Sequence, residues 1–201
     1  MAYDLILRGG RIIDPSQNLD QIADIAFKDG KVNRILTHLE ADAATDVRNV
    51  SGRIVTPGLI DLHTHVYWGG TSLGIDAEDF CRRSGVTTAI DTGSTGPGNF
   101  AGFRKHVIER SEVRILAYLH VSFAGIFAFS PRIMVGESEE LRLMAPLDAV
   151  EVADANRDVI VGIKVRVGAR ASGRSGTVPL DIALGGRCPG DGAYRRSATD
   201  L

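Results

Sequence analysis

From Pro57 onwards, the sequence alternates between apolar runs with β-strand character and stretches with helical periodicity. Such alternation indicates βαβ units, whose strands form a parallel sheet covered by helices. The expected fold class is therefore α/β. The predicted strands comprise residues 59–65, 86–92, 114–121 and 159–167, and the predicted helices comprise residues 76–84, 99–111 and 147–156. Asp76 and Asn99 have short polar side chains that suit N-caps of the first two helices.

The residues before Pro57 have a different pattern, with the short β-like runs "DLILRGGRIIDP", "ADIAFKDGKVNRI" and "GRIVTPG". Arg8-Gly9-Gly10 and Lys28-Asp29-Gly30 interrupt the apolar alternation as hairpin turns do. We therefore expect a small β unit at residues 1–56 and a separate α/β region at residues 57–184.

Two further segments fit neither pattern. Residues 122–140 are expected to form a long loop beyond the third strand, at the edge of the sheet where the functional loops of barrels lie. The alternative is a surface insertion that packs on itself through Phe123, Phe127 and Phe129. Residues 185–201 are rich in Gly and Arg without periodicity, so we expect an aberrant, disordered tail, as a frameshift or premature end would produce.

Composition limits the classes of partner. The chain has 201 residues and a formal net charge of -2, with scattered Lys and Arg, so we expect no nucleic-acid partner. Asp4 and Arg8 interrupt the first apolar stretch, which argues against a secretory signal, and no apolar segment is long enough to span a bilayer. Cys81 and Cys188 lack metal-ligand spacing, which suits a reducing compartment. We expect a cytoplasmic protein that acts on a small molecule.

A pair of histidines ends the first predicted strand. Because side chains alternate along a strand, His63 and His65 lie on the same face. Pro57 and Gly58 lead into this strand, which places the pair at its carboxyl end, where parallel barrels have their active sites. Two neutral imidazoles at this spacing can bind one metal ion. The alternative for an isolated His-x-His pair is two polar residues on a sheet face.

The fourth predicted strand has one apolar face and places Lys164 and Arg166 on the other. Burial disfavours the charged form of a lysine and makes its amine a better nucleophile. The alternative for Lys164 is an ion pair with Asp61 or Asp91. Arg166 can bind a substrate carboxylate through its planar fork, although a structural ion pair is favoured for it.

Other polar or aromatic residues lie near the same strand ends. His120 is either an active-site residue that contacts substrate or a core histidine. Asp91 is expected to cap the turn after the second strand or to orient a metal ligand. Tyr67 and Trp68 can form a pocket wall or cover the rim of the barrel.

Three motifs carry a family resemblance. "TPGLIDLHTH" resembles the first-strand signature of the amidohydrolase superfamily, while "GVTTAIDTGSTGPGNFAGFR" and "RDVIVGIKVRV" resemble the second and fourth strands of its dihydroorotase-like deacetylase branch. The resemblance extends over about residues 4–184. It implies a partial (β/α)8 TIM barrel of about four βα units, preceded by part of a β-sandwich domain.

The resemblance also implies the chemistry. His63 and His65 would bind the more buried metal of a binuclear zinc centre, and carboxylated Lys164 would bridge both metals. Metal-activated hydroxide would then hydrolyse an amide, cyclic amide or acyl ester, and a deacetylase is favoured over a dihydroorotase. Arg166 and His120 are the candidate substrate-binding residues.

Part of the family's site has no counterpart here. The family needs two further histidines and a general-base aspartate on later strands, and the residues after Pro57 are too few for a barrel of about 250 residues. Four strands leave unpaired edges, so we expect an aggregation-prone chain, a homo-oligomer or dependence on another chain. The alternative function is a catalytically inactive fragment or binding module that retains a partial metal site.

Overall fold

The computed structural model describes residues 3–40, 43–130, 132–133, 135 and 137–185. These residues form two compact units, one up to Gly58 and the other from Leu59 onwards. The predicted disordered tail at 185–201 lies outside the described residues, apart from Gly185. None of the described helices is long and apolar enough to cross a membrane.

The first unit is a five-stranded sheet in the order β3-β2-β1-β4, with β5 also paired to β1. Strand β1 is antiparallel to β2 and parallel to β4 and β5, and β2 is antiparallel to β3. Sequence analysis did not predict β4. The strands are β1 (Tyr3–Asp14), β2 (Leu19–Lys28), β3 (Lys31–Leu36), β4 (Ala44–Asn49) and β5 (Ile54–Val55).

One of the two predicted turns in this unit is confirmed, and the other is wrong. Asp29 and Gly30 connect β2 to β3 with φ values of 52° and 71°, the left-handed conformations that a two-residue hairpin turn requires. In contrast, β1 continues through Gly9, where the register with β2 shifts as in a β-bulge. Gly9 has a φ of 74°, and its N–H donates to Asp24 Oδ1 at 2.8 Å.

The second unit has a four-stranded parallel sheet in the order β6-β7-β8-β9. Helices alternate with these strands along the chain, which confirms the predicted α/β class. The strands are β6 (Leu59–Thr64), β7 (Val86–Thr92), β8 (Arg114–His120) and β9 (Ile160–Lys164), and the helices are α1 (Ala77–Ser84), α2 (Phe100–His106), α3 (Pro146–Ala155) and α4 (Val178–Gly185).

The main core lies between this sheet and its helices. Alternate apolar residues of β8 pack there against Phe100 and Phe103 of α2. Tyr67 joins this core, with its ring centroid 4.9 Å from that of Phe103, whereas Trp68 is exposed. Strand β6 lies at an edge of the sheet and leaves Ile60 and Leu62 58% and 66% exposed.

The two predicted helix caps differ in whether the side chain accepts a hydrogen bond from a helical N–H. The side chain of Asp76 accepts the Asp79 N–H at 3.0 Å, which confirms this N-cap. Asn99 occupies the N-cap position of α2 as predicted, but its side chain makes no hydrogen bond to a helical N–H. The side chain instead accepts the Gly96 N–H at 2.9 Å and donates to the Ala124 carbonyl at 3.0 Å, which ties together two loops.

The segment at 122–140 contains no helix or strand among its described residues. Backbone hydrogen bonds hold it to neighbouring elements, including Phe123 N–H to the Leu143 carbonyl at 2.7 Å and Ile126 N–H to the Gly93 carbonyl at 3.1 Å. Phe127 is 66% exposed, so packing of the segment on its own aromatic rings is not observed.

Candidate metal and substrate site

The carboxyl ends of β6, β7, β8 and β9 bring the candidate residues to one edge of the sheet. Thr64, directly before His65, pairs with Asp91, and His120 pairs with Lys164 across β8 and β9. This arrangement follows from the parallel register, because the ends of parallel strands lie side by side.

The predicted histidine pair lies together at the end of β6. The ring centroids of His63 and His65 are 5.6 Å apart, in an edge-to-face arrangement. Asp61 Oδ1 accepts the His63 N–H at 3.0 Å. His63 is exposed and His65 is half-buried, so the two imidazoles differ in their access to solvent.

His65 has the more strongly perturbed environment. Burial, followed by repulsion from His63, lowers the pKa of His65 to about 4, although Glu137 opposes this shift. The charges of Lys164 and Arg166 lower this pKa further. The ring is therefore neutral near pH 7, which is the form that binds metal ions.

Lys164 ends β9 and is 4% exposed. Its aliphatic stem packs so closely on Gly93 that a Cβ atom there would lie 2.9 Å from Lys164 Cγ and 3.1 Å from His120 Cδ2. The next residue, Ser94, has its Oγ 3.1 Å from His65 Nδ1. Within the Gly93-Ser94 dipeptide, Gly93 therefore contacts Lys164 and His120, and Ser94 contacts His65.

Asp91 is fully buried between β6 and the turn that follows β7. Its Oδ1 accepts the Ser94 N–H and its Oδ2 accepts the Val66 N–H, both at 2.8 Å. Burial raises the pKa of Asp91, while the Ser94 hydroxyl and backbone N–H groups oppose that shift. The carboxyl group thus caps the turn and ties it to the residue after His65.

Glu137, which no sequence pattern indicated, lies in the segment after β8. Its Oε1 accepts a hydrogen bond from Arg166 Nη1 at 2.7 Å, and its Oε2 lies 3.4 Å from His120 Nε2. Burial raises the pKa of Glu137, but His120 and Arg166 outweigh it and lower the pKa to about 2. The structural ion pair favoured for Arg166 is therefore present.

His120 is fully buried next to this carboxylate. Its Nδ1 accepts the Ser122 N–H at 2.9 Å, so the hydrogen of the neutral ring lies on Nε2 and faces Glu137. Glu137 could have been suspected from its place in a loop expected above Arg166 and His120, but no spacing or periodicity singles it out.

Relatives with curated names match much of this chain, whereas no family model matches it. A deacetylase of Brucella anthropi is 35% identical over 170 residues, which cover 83% of this chain and 41% of the deacetylase. A deacetylase of Agrobacterium fabrum is 34% identical and is matched over 77% of this chain and 37% of its own length. A dihydroorotase of Geobacter metallireducens is 44% identical over 63 residues, covering 31% of this chain and 15% of the dihydroorotase.

Solved structures agree with these relatives. The crystal structure of a dihydroorotase superposes with a TM-score of 0.77 at 31% identity, covering 90% of this chain and 48% of the dihydroorotase. This chain is similar to members of the amidohydrolase superfamily. An adenine deaminase in the superfamily gives a TM-score of 0.73 at 25% identity, covering 92% of this chain and 47% of the deaminase. The chain spans about two fifths of the length of the curated deacetylases that it matches.

Amidohydrolases are generally metal-dependent, and the donor atoms at this edge fit part of such a site. His63 and His65 offer two adjacent imidazoles, and Ser94 occupies Nδ1 of His65, which leaves its Nε2 for a metal. In the part of the chain that the structure describes, no three His, Cys, Asp or Glu side chains form a metal-binding group. Lys164, the predicted bridging ligand, ends β9 at the same edge of the sheet.

Proposed function

We propose that this chain carries part of the active site of a zinc-dependent amidohydrolase of the deacetylase type. The unit from Leu59 onwards would be the first four βα units of a (β/α)8 barrel. His63 and His65 would bind one zinc ion, and Lys164, carboxylated by carbon dioxide, would bridge it to a second.

The observation that carries this proposal is the convergence of His65 and Lys164 on the Gly93-Ser94 dipeptide. Lys164 is 4% exposed, and its positive charge is one of the causes that lower the pKa of His65, which shows that the two side chains lie close enough to interact. Carboxylation would place an anion beside the neutral imidazole, since addition of carbon dioxide to the neutral amine yields an anionic carbamate and releases a proton.

Zinc at this edge would supply Lewis acidity to an amide or acyl carbonyl and to water. The protein's own residues would orient the substrate. Arg166 is 44% exposed at its side chain while Glu137 holds its Nη1, so its remaining N–H groups can bind a substrate carboxylate. His120 is fully buried, and we propose that it acts on substrate binding through Glu137.

Coverage favours an acyl substrate over dihydroorotate. In sequence, the relatives named deacetylase match 77% and 83% of this chain, whereas the match to the Geobacter metallireducens dihydroorotase extends over 31%. The fold does not discriminate, because a dihydroorotase structure also superposes over 90% of this chain. We therefore propose as substrates acetylated amino or hydroxy acids, which combine a scissile acyl group with a carboxylate for Arg166.

The test is zinc content and hydrolysis measured on the same preparation of the full chain. We expect bound zinc and zinc-dependent release of acetate from acetylated amino or hydroxy acids, with slower turnover of dihydroorotate. Lys164→Ala should abolish both zinc binding and hydrolysis, while the exposed Lys105→Ala should change neither. Zinc binding that is unaffected by Lys164→Ala would contradict the proposed ligand set.

A second candidate is an inactive fragment or binding module with a partial metal site. The observation that favours it is the absence, within the described residues, of a third His, Cys, Asp or Glu ligand beside His63 and His65. This candidate predicts less than one zinc ion per chain and no hydrolysis of either substrate class. Activity that appears only on addition of another chain would show that the missing ligands come from a partner.

A further inference from the structure

Ser94 connects a proposed metal ligand to a buried carboxylate. Ser94 and Asp91 are both fully buried at the carboxyl end of β7. Ser94 Oγ lies 3.1 Å from His65 Nδ1, and Ser94 N–H donates to Asp91 Oδ1 at 2.8 Å. Asp91, Ser94 and His65 are therefore linked in series, from the buried carboxylate to the imidazole.

The chemistry of the groups determines which one donates and which one accepts in each of these hydrogen bonds. Backbone N–H groups can only donate, and those of Ser94 and Val66 each donate to a different oxygen of Asp91. The Ser94 hydroxyl lies 3.1 Å from His65 Nδ1 and can either donate or accept a hydrogen bond there. A ring nitrogen that binds a metal ion has no hydrogen, so a His65 that binds metal through Nε2 would have its hydrogen on Nδ1 and donate it to the Ser94 oxygen.

We propose that Ser94 is a positioning residue that holds His65 with its hydrogen on Nδ1 and thereby presents the lone pair of Nε2 to a metal ion. Asp91 acts twice in this arrangement. Its carboxylate accepts the Val66 N–H, directly after His65, and it accepts the Ser94 N–H, which fixes the backbone of Ser94 next to the His65 ring. Backbone and ring of His65 are thus set by one carboxylate. This inference rests on the proposed metal site.

The first test uses the metal-free full chain. Nitrogen-15 NMR of labelled histidine distinguishes a protonated ring nitrogen from an unprotonated one, and a His65→Gln variant assigns the signal. We expect the hydrogen of His65 on Nδ1 in the wild-type chain. A hydrogen on Nε2 would overturn the inference, because Ser94 would then be donating to the imidazole.

The second test measures zinc affinity by competition with a fluorescent chelator. Ser94→Ala should weaken zinc binding by about 10–100-fold, the usual effect of removing a group that orients a metal ligand. The matched control is Thr95→Val, since Thr95 is the adjacent residue, is 1% exposed and has a hydroxyl without a hydrogen-bond partner among the described residues. The control should bind zinc as the wild-type chain does.

The two measurements separate this inference from the proposed function. Wild-type zinc binding that Ser94→Ala leaves unchanged would overturn the role of Ser94 and leave the metal site standing. A wild-type chain that binds no zinc would contradict the proposed site, and the tautomer of His65 would then decide the role of Ser94. If Ser94→Ala does not fold, the wild-type NMR spectrum decides the same question.

Discussion

Two networks of polar side chains, each with a buried carboxylate, flank the proposed site, and they are built differently. The first joins His65, Ser94 and Asp91, and all three residues lie in or directly after strands β6 and β7. The second joins His120 at the end of β8 to Arg166 after β9 through Glu137, which belongs to the long segment between β8 and α3. We call these the strand network and the loop network.

The two networks depend on different parts of the structure. The strand network is completed by the register of two neighbouring strands and one tight turn, and its carboxylate is bound by backbone N–H groups. The loop network needs a segment without helix or strand to place one buried glutamate between the Arg166 guanidinium and the His120 ring. We therefore expect the strand network to contribute more to stability and the loop network to respond more to acid.

The largest effect is expected when Asp91 is replaced by Ala. The Val66 and Ser94 N–H groups would lose their acceptor in a fully buried site, at a cost of about 1–3 kcal/mol each, so unfolding free energy should fall by about 2–6 kcal/mol. Urea unfolding measures this change. Asp158→Ala, which removes an exposed partner of Arg104, is the control and should leave the unfolding free energy nearly unchanged.

A smaller effect is expected for Glu137→Ala. Arg166 is partly exposed and can be hydrated when it loses this partner, so the loss of unfolding free energy should be about 1–3 kcal/mol. Glu140→Ala lies in the same segment and removes a fully exposed partner of Arg142, so it should have little effect. Equal losses for the two variants would show that the loop network contributes nothing beyond a surface ion pair.

Acid should weaken the loop network selectively. The pKa of Glu137 is depressed from its ordinary value of 4.5 to about 2, so its ionised form stabilises the folded chain above the ordinary value. This contribution is lost as pH falls from about 4.5 towards 2, because the unfolded chain takes up the proton first. Urea unfolding at about pH 5 and about pH 3 should show a larger loss for the wild-type chain than for Glu137→Gln. An identical loss in both would contradict the assigned charge of Glu137.

The smallest effect is expected at Thr95, which lies between the two networks. Its carbonyl accepts the His120 N–H at 2.9 Å, and its buried hydroxyl has no hydrogen-bond partner in the described ranges. Thr95→Val keeps the carbonyl and removes the hydroxyl, so unfolding free energy should change by less than about 1 kcal/mol or rise slightly. A large loss, measured by urea unfolding, would show that the hydroxyl has a partner in solution.

Much of the α/β unit could be predicted from the sequence because apolar residues recur periodically along its strands and helices. Predicted strands and helices correspond to β6–β9 and α1–α3, with ends that differ by a few residues. Strand β9, for example, stops at Lys164, so Arg166 lies beyond it rather than on the strand face. The position of His65 and Lys164 at one edge follows from parallel strands ending together.

The residues that the sequence did not reveal depend on contacts without periodicity. The bulge at Gly9 resembled a turn because glycine permits both, and the side chain of Asp24 decided between them by accepting its N–H. Asn99 resembled a helix cap, but nearby loop groups at Gly96 and Ala124 compete for its amide. Two of these partners, Asp24 for Gly9 and Ala124 for Asn99, lie 15 and 25 residues away along the chain.

The sequence by itself determined the parallel α/β unit, the placement of His63, His65 and Lys164 at strand ends, and the family resemblance that gives these residues a chemical meaning. The tertiary structure decided which groups form hydrogen bonds with the side chains at these strand ends. Ser94 reaches His65 because the turn after β7 is tied to Asp91, and Glu137 reaches Arg166 because a non-repetitive segment returns across the strand ends. Strand ends are set by local alternation of side chains, whereas hydrogen-bond partners are set by distances that exist only in the folded chain.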